Sequence, residues 1–357
     1  MSERLYLDHA ATTPVVPEAR QAMAGALETW ANPSSPHADG RRERAALEDA
    51  RRKIAEALGW RHDVIFTSGA SEAVQIVAER AKLKRRIVGS TEHDAVIAAM
   101  GTGADQLAVD RSGLADLAAL ETKLEEPALI AVQLVNNETG TIQPIGQIYE
   151  LVRASGSLLL CDCAQAAGKI ELQDADFIAV SGHKFGGPPG AGVLLVKDLG
   201  TLDPSGGQER GYRRGTENLP AAAAMAAALK ARAFVDAMPR LSSLRQHLEQ
   251  EVLALGGIVI ASEAPRIATI GSYAMPGIES SSQLVQLDLS GISVSAGSAC
   301  SSGSMKPSRV LGAMGVPKDI AGSVIRVSFG PSTSKADVDR FLFEWRKIGN
   351  RAKAVAA

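Results

Sequence analysis

A chain of 357 residues, 45% hydrophobic and 22% charged with a formal net charge of -2, buries a large core and shows no excess of either sign. That balance gives no reason to expect nucleic acid or an anionic membrane as a partner. No apolar run is long enough to span a bilayer, and Met1-Ser2-Glu3-Arg4 lacks the basic-then-apolar pattern of a secretory leader, so the cytoplasm is the expected compartment.

In chain order, short apolar stretches at 64–67, 86–89, 129–135, 157–161, 177–180 and 192–196 read as strands, with helical patterns between them such as 71–82 and 145–154. The alternation predicts an α/β fold, a mostly parallel sheet covered by helices on both faces. In open sheets of this kind ligands sit at the carboxyl ends of the strands. Polar residues gather there: Thr67-Ser68-Gly69-Ala70-Ser71, Asn136-Asn137-Glu138, Asp162 and Ser181-Gly182-His183-Lys184. The alanine-rich run 221–231 follows Pro220 and lacks a linker's Gly, Ser or Pro, which predicts a long helix bridging two domains. Beyond about Met238 come a helix at 241–255, strands at 257–261 and 267–273, a helix at 281–290, a strand at 323–329 and a closing helix at 335–353. These predict a smaller α+β domain.

Two segments interpret each other. In Ser181-Gly182-His183-Lys184-Phe185-Gly186-Gly187-Pro188 a lysine ends an apolar stretch and glycines follow, which suits a Schiff-base lysine holding pyridoxal phosphate. In Ser295-Ala296-Gly297-Ser298-Ala299-Cys300-Ser301-Ser302-Gly303 a cysteine stands among small residues, as a travelling sulfur nucleophile requires. Three cysteines, at 161, 163 and 300, are an odd number in a long chain, so a free thiol is expected and neither disulfides nor a metal site is. Cys161 and Cys163 flank Asp162 at strand period and read as buried small hydrophobes.

Each remaining candidate has a plain reading beside its functional one. Asp162 ends an apolar strand, where it either caps a helix or meets a cation such as a protonated pyridine nitrogen. Gly69, Ala70 and Ser71 at a strand-to-helix turn can cap the helix and bind phosphate at once, with Ser181 and His183 as further donors. Arg326 lies inside the apolar strand pattern and either faces solvent or grips a substrate carboxylate. His93, after a short strand, carries an imidazole able to exchange protons near neutral pH.

The chain resembles the cysteine desulfurases, in the class V aminotransferase group of pyridoxal phosphate enzymes. The resemblance rests on Leu7-Asp8-His9-Ala10-Ala11-Thr12-Thr13-Pro14, Asn32-Pro33-Ser34-Ser35-Pro36-His37, the segment from Phe66 to Glu72, Thr91-Glu92-His93, Asn136-Asn137-Glu138-Thr139-Gly140, Arg213-Arg214-Gly215-Thr216-Glu217-Asn218, Ile325-Arg326-Val327-Ser328 and the lysine and cysteine segments. The Ser/Gly-rich surroundings of Cys300 are similar to the branch with an extended cysteine loop.

The resemblance implies an aminotransferase-like fold, with a large cofactor-binding domain at 16–238 and a small domain of 1–15 and 239–357 carrying the cysteine loop. It implies that Lys184 holds the cofactor and moves the substrate's Cα proton, that His93 stacks on the ring, and that Gln165 reaches the ring's phenolic oxygen with Asn137 nearby. Ser71 stands where the family usually has threonine. Thr216 resembles a residue that reaches the neighbouring subunit's phosphate, which implies a homodimer, and Asn32 helps Arg326 orient the carboxylate of L-cysteine. Cys300 takes the substrate's sulfur as a persulfide, leaving L-alanine, and delivers it to an acceptor protein such as an iron-sulfur scaffold or a tRNA-thiolation protein. An ordinary aminotransferase would not need Cys300, a selenocysteine lyase would differ in selectivity, and an inactive scaffold would have lost Lys184, Asp162 or Cys300.

Overall fold

The computed structural model describes residues 4–297 and 307–356. The chain begins with β1 (Leu5–Tyr6) and the helices α1 (Pro17–Glu28) and α2 (Ala38–Ala57). Pro17 opens α1, where its missing N–H has no helical partner to lose, and His37 caps α2 by accepting from Gly40 N.

Strands and helices then alternate through β2 (Asp63–Thr67), α3 (Ala70–Arg80), β3 (Arg86–Gly89), α4 (Asp94–Met100), β4 (Asp105–Leu107), α5 (Leu117–Lys123), β5 (Leu129–Gln133), α6 (Ile145–Ala154) and β6 (Leu158–Asp162), after which two strands, β7 (Phe177–Ser181) and β8 (Gly192–Val196), follow without an α-helix between them. The strands β2 to β8 form one sheet in the order β2-β8-β7-β6-β5-β3-β4. From β4 to β7 every pairing is parallel. β5, β7 and β8 are buried along their whole length, which explains their unbroken apolar sequences. β8 departs from the parallel pattern and runs antiparallel to both β7 and β2. Residues 182–191 are too few for a parallel crossover, which takes about a dozen or more. Their role is to carry Lys184.

The remaining elements are α7 (Leu219–Lys230), α8 (Ala233–Ala254), β9 (Ile258–Val259), β10 (Ile270–Ala274), α9 (Ser280–Leu289), β11 (Ile292–Ser293), α10 (Arg309–Ala313), α11 (Lys318–Ala321), β12 (Val324–Ser328) and α12 (Lys335–Ala356). β12, β10 and β9 make a small antiparallel sheet. β1 pairs in parallel with β11, and Asp8 bridges Ser328, so the chain's first residues are tied to its last strand.

The alanine-rich helix is present and packs on α1 and α2, its small side chains letting those helices approach closely. One expectation needs correction. The helix expected from residue 241 begins at Ala233 and carries Pro239 inside it, so the proline does not mark its start. Met238 therefore lies within a continuous 22-residue helix.

Candidate active site

The carboxyl ends of β5, β6 and β7 open onto a cleft of about 940 Å³, within the span of about 300–1,000 Å³ usual for ligand sites. Lys184 enters it from a single helical turn directly after β7. That turn closes when Phe185 N and Gly187 N both donate to Gly182 O. Gly186 then takes a φ of 93°, and a Cβ there would stand 2.6 Å from Val16 Cγ1, so both its backbone and its neighbour demand glycine. Lys184 Nζ donates to the carbonyls of Ala10 and Ala11, at 2.6 and 2.8 Å. Burial, aided by the charge of Arg326, pulls its pKa down to about 8. The amine is therefore much closer to its nucleophilic form than a surface lysine.

Asp162 ends β6, in register with Gln133 on one side and Ala179 on the other. Its Oδ1 accepts from Ala164 N at 2.8 Å, and among the described residues no donor reaches its second oxygen. Burial raises its pKa, while the Ala164 N–H and the charges of His93 and Lys184 pull the other way. No helix directly follows Asp162, so it caps none: one oxygen closes a local turn, and the residue lines the cleft. The flanking Cys161 and Cys163 are fully buried with their Sγ atoms 3.5 Å apart, and their mutual contact and burial push the Cys161 thiol well up.

Gln165 is buried at the cleft wall and donates from Nε2 to Ala10 O at 2.8 Å. Gly69, Ala70 and Ser71 line the cleft where α3 begins, and Ser181 faces them from β7. Gly192 packs directly under this turn, since a Cβ on it would lie 2.5 Å from Gly69 Cα. His183 hydrogen-bonds through Nδ1 to Thr12 Oγ1 at 3.1 Å, and burial with the nearby Lys184 and Lys169 lowers its pKa to about 4. His93 caps α4 by accepting from Ala95 N at Nδ1, which leaves Nε2 as the protonated nitrogen of the neutral ring. It too lines the cleft.

Arg326 projects from β12 and is 5% exposed. Its Nη1 donates to Asn137 O at 3.0 Å and its Nη2 to Asp8 Oδ1 at 2.8 Å, while Nε has no partner among the described residues. The guanidinium points inward to the cleft, so the solvent-facing reading is excluded. Two other expected residues are not brought to the cleft by this single chain. Asn32 is exposed and uses Oδ1 to accept from Ser34 N, and Thr216 is exposed on the segment that Arg213 ties to Glu72. Cys300 lies outside the described residues.

The structure adds acidic residues to which the sequence assigned no role. Asp8 holds Arg326. Glu92 is 1% exposed, with Oε1 accepting from Gln133 N and Oε2 unpartnered among the described residues, and burial next to Asp162 raises its pKa well above the ordinary value. Glu138, its pKa raised by burial, accepts from Ser308 Oγ at 2.6 Å. Thr91-Glu92-His93 and Asn136-Asn137-Glu138 held the signal, in segments already picked out for their neighbours.

Residues 5–341 match the family model Aminotransferase class-V. The chain is 38% identical to a cysteine desulfurase of Cereibacter sphaeroides, covering 99% of this chain and 98% of that protein. It belongs to the cysteine desulfurase family. It is also 37% identical to an IscS-like cysteine desulfurase of Mycobacterium tuberculosis, over 94% of each. Among solved structures, a NifS-like protein from Rickettsia africae superposes with a TM-score of 0.89 at 26% identity, covering 98% of this chain and 100% of that one.

Cysteine desulfurases, like other class-V aminotransferases, work with pyridoxal phosphate, and the residues present fit that group. Lys184 offers an amine with no carboxylate hydrogen-bonded to it, and Asp162 an oxygen without a donor. Among the described residues, no side chain or backbone group engages the hydroxyls of Ser71 and Ser181 beside the α3 N-terminus. These are the partners that an aldehyde, a pyridinium and a phosphate need.

Proposed function

We propose that this cysteine desulfurase binds pyridoxal phosphate through Lys184 and transfers the sulfur of L-cysteine to Cys300, releasing L-alanine. The observation that carries the reading is the meeting around one cleft of Asp162 from the end of β6, Lys184 from the turn after β7, and Arg326 from the middle of β12. Bound there, pyridoxal phosphate supplies an electron sink that loosens first the Cα proton and then the Cβ–S bond of the amino acid.

The chain's own residues do the rest. Asp162 holds the pyridine nitrogen in its protonated form, and Gln165 donates to the phenolic oxygen with Asn137 alongside. Gly69, Ala70, Ser71, Ser181 and His183 hold the phosphate. Arg326 binds the substrate carboxylate through the second N–H of Nη1 and of Nη2, which Asn137 and Asp8 leave free, and Asp8 fixes the guanidinium plane. Lys184 Nζ, with its lowered pKa, takes the proton from Cα. His93 Nε2 exchanges a proton with the substrate thiol. The Cys300 thiolate then attacks the substrate sulfur: an S–S bond forms, the C–S bond breaks, and its electron pair goes to Cβ; protonation of Cβ and return of the Cα proton by Lys184 give alanine.

The protein works as a two-fold homodimer, in which Thr216, exposed on its own chain, reaches the partner's phosphate. Asn32, equally exposed, serves the substrate carboxylate only in that assembly. The persulfide passes to an acceptor protein of iron-sulfur cluster assembly or tRNA thiolation in the cytoplasm.

The test is to add pyridoxal phosphate and then borohydride, and to map the modified peptide. The reading predicts a yellow protein, a pyridoxyl group on Lys184, and alanine formed from L-cysteine in step with sulfur released. Modification of another lysine, or cysteine turnover yielding pyruvate in place of alanine, contradicts it. Light scattering that shows a fully active monomer contradicts the dimer.

A further inference from the structure

Lys169 lies four residues beyond Gln165 in the turns that follow β6, is 3% exposed, and meets no carboxylate among the described residues. Its Nζ donates to Gln165 Oε1 at 3.2 Å and lies 5.0 Å from the centre of the Phe234 ring. The groups whose charge it feels are Lys184 and Arg326, and His9 and His183 stand close enough to feel its own. All are basic. Burial and the like charges pull its pKa down to about 7, and His9 and His183 are held neutral at theirs of about 4.

Such a residue does not help the fold. An apolar chain of the same length would pack against Phe234 without the cost of desolvating an amine. Its single hydrogen bond therefore points to its purpose. A glutamine amide has one acceptor end and one donor end; a lysine ammonium only donates, and in either protonation state the turned-over amide would set its oxygen against Ala10 O. With Oε1 drawn to Lys169 and one Nε2 hydrogen on Ala10 O, the second Nε2 hydrogen is left for the cleft. With the amide turned over, donor would face donor at Lys169 and acceptor would face acceptor at Ala10.

We propose that Lys169 is a positioning residue that locks the Gln165 amide with its oxygen away from the cleft and its N–H toward it, so that Gln165 donates to the phenolic oxygen of the bound cofactor. This rests on the cofactor reading above. Lys169 touches neither cofactor nor substrate and acts through Gln165.

The experiment compares wild type, Lys169→Met, Gln165→Leu and the double variant, each loaded with pyridoxal phosphate, by the pH midpoint of the visible absorption band. A donor to the phenolic oxygen stabilises its anion, so losing the donor moves the midpoint upward. Lys169→Met is expected to raise it by about one pH unit, a tenfold change, and Gln165→Leu by a similar amount. The double variant should shift no further than either single one, because the two residues act as a unit. The cofactor-free Lys169→Met protein should melt no lower than wild type, whereas a merely structural lysine would be missed. An unmoved midpoint, or shifts that add fully in the double variant, overturns the proposal. Lys169→Leu gives the same comparison if the methionine variant does not fold. A wild-type protein that takes no colour overturns the cofactor reading and this inference together; a coloured one with an unmoved Lys169→Met overturns this inference alone.

Discussion

Asp8 Oδ1 and Arg326 Nη2 stand 2.8 Å apart, joining the turn after β1 to β12 across 318 positions of sequence. The pair is almost wholly buried on the arginine side, and it fixes a forked cation at the cleft wall with Nε still unpartnered among the described residues. Arg326→Lys keeps the charge and loses the fork. Two charge-assisted hydrogen bonds to a carboxylate are together worth about 3–4 kcal/mol, so kcat/KM for L-cysteine should fall on the order of 10²–10³-fold while the bound cofactor keeps its colour. Steady-state kinetics on the reconstituted variant measure this, and an unchanged KM with an unchanged kcat would remove Arg326 from the substrate site.

Gly192 packs against Gly69 in the turn proposed to hold the phosphate. A methyl group there would meet Gly69 Cα at 2.5 Å and Val180 O at 2.6 Å, and both are backbone atoms that cannot swing aside. Gly192→Ala should destabilise the protein by about 1–3 kcal/mol, the usual cost of overpacking. It should also weaken cofactor binding at least tenfold, by moving Gly69 out of place. Thermal melting of the cofactor-free protein and a cofactor titration report the two effects separately. A variant with wild-type values in both would show that the turn has room to give.

The depressed pKa of Lys184 has a direct kinetic consequence. At about 8, against an ordinary 10.5, half of the amine is neutral near pH 8, and only the neutral amine attacks an aldehyde. Colour development on mixing cofactor-free protein with pyridoxal phosphate should therefore quicken as pH rises from 6.5 and level off above about 8.5. Stopped-flow absorbance across that range is the measurement. A rate still climbing tenfold per pH unit at pH 9.5 would mean that the site does not lower this pKa.

The sequence carried the strand-end residues of this site because two rules act together there. Apolar periodicity marks where each strand stops, and ligands gather at carboxyl ends, so Asp162, Ser181 and Lys184 could be picked out without a structure. Asp8 was different, since its partner is at the other end of the chain and nothing local distinguishes it from any surface aspartate. Glu92, Glu138 and Lys169 were hidden for the same physical reason: a buried charge looks like an exposed one until the packing is known. The direction of β8 follows from the short connection after β7, yet the apolar sequence of a doubly buried strand is the same in either direction. Asn32 and Thr216 are nominated by family likeness alone, since their own chain leaves them exposed and away from the cleft.

Sulfur transfer separates this reading from every other reaction that pyridoxal phosphate supports. Cys161 and Cys163 are fully buried, which keeps both sulfurs away from a substrate in the cleft, and the Cys161 thiol is pushed well up besides. Cys300, set among serines and glycines, is the acceptor proposed above. Cys300→Ser should keep the bound cofactor's colour and its spectral response to L-cysteine, because Lys184, Asp162 and Arg326 are untouched. It should lose at least 10²-fold in alanine and sulfide production, since a hydroxyl does not attack sulfur as a thiolate does, and a loss of about 3 kcal/mol in transition-state stabilisation is the minimum for removing a nucleophile. Mass spectrometry of the wild-type protein after L-cysteine should show a gain of one sulfur on the peptide holding Cys300. Sulfur mapped to Cys161 or Cys163, or wild-type rates in Cys300→Ser, would assign the transfer to another group.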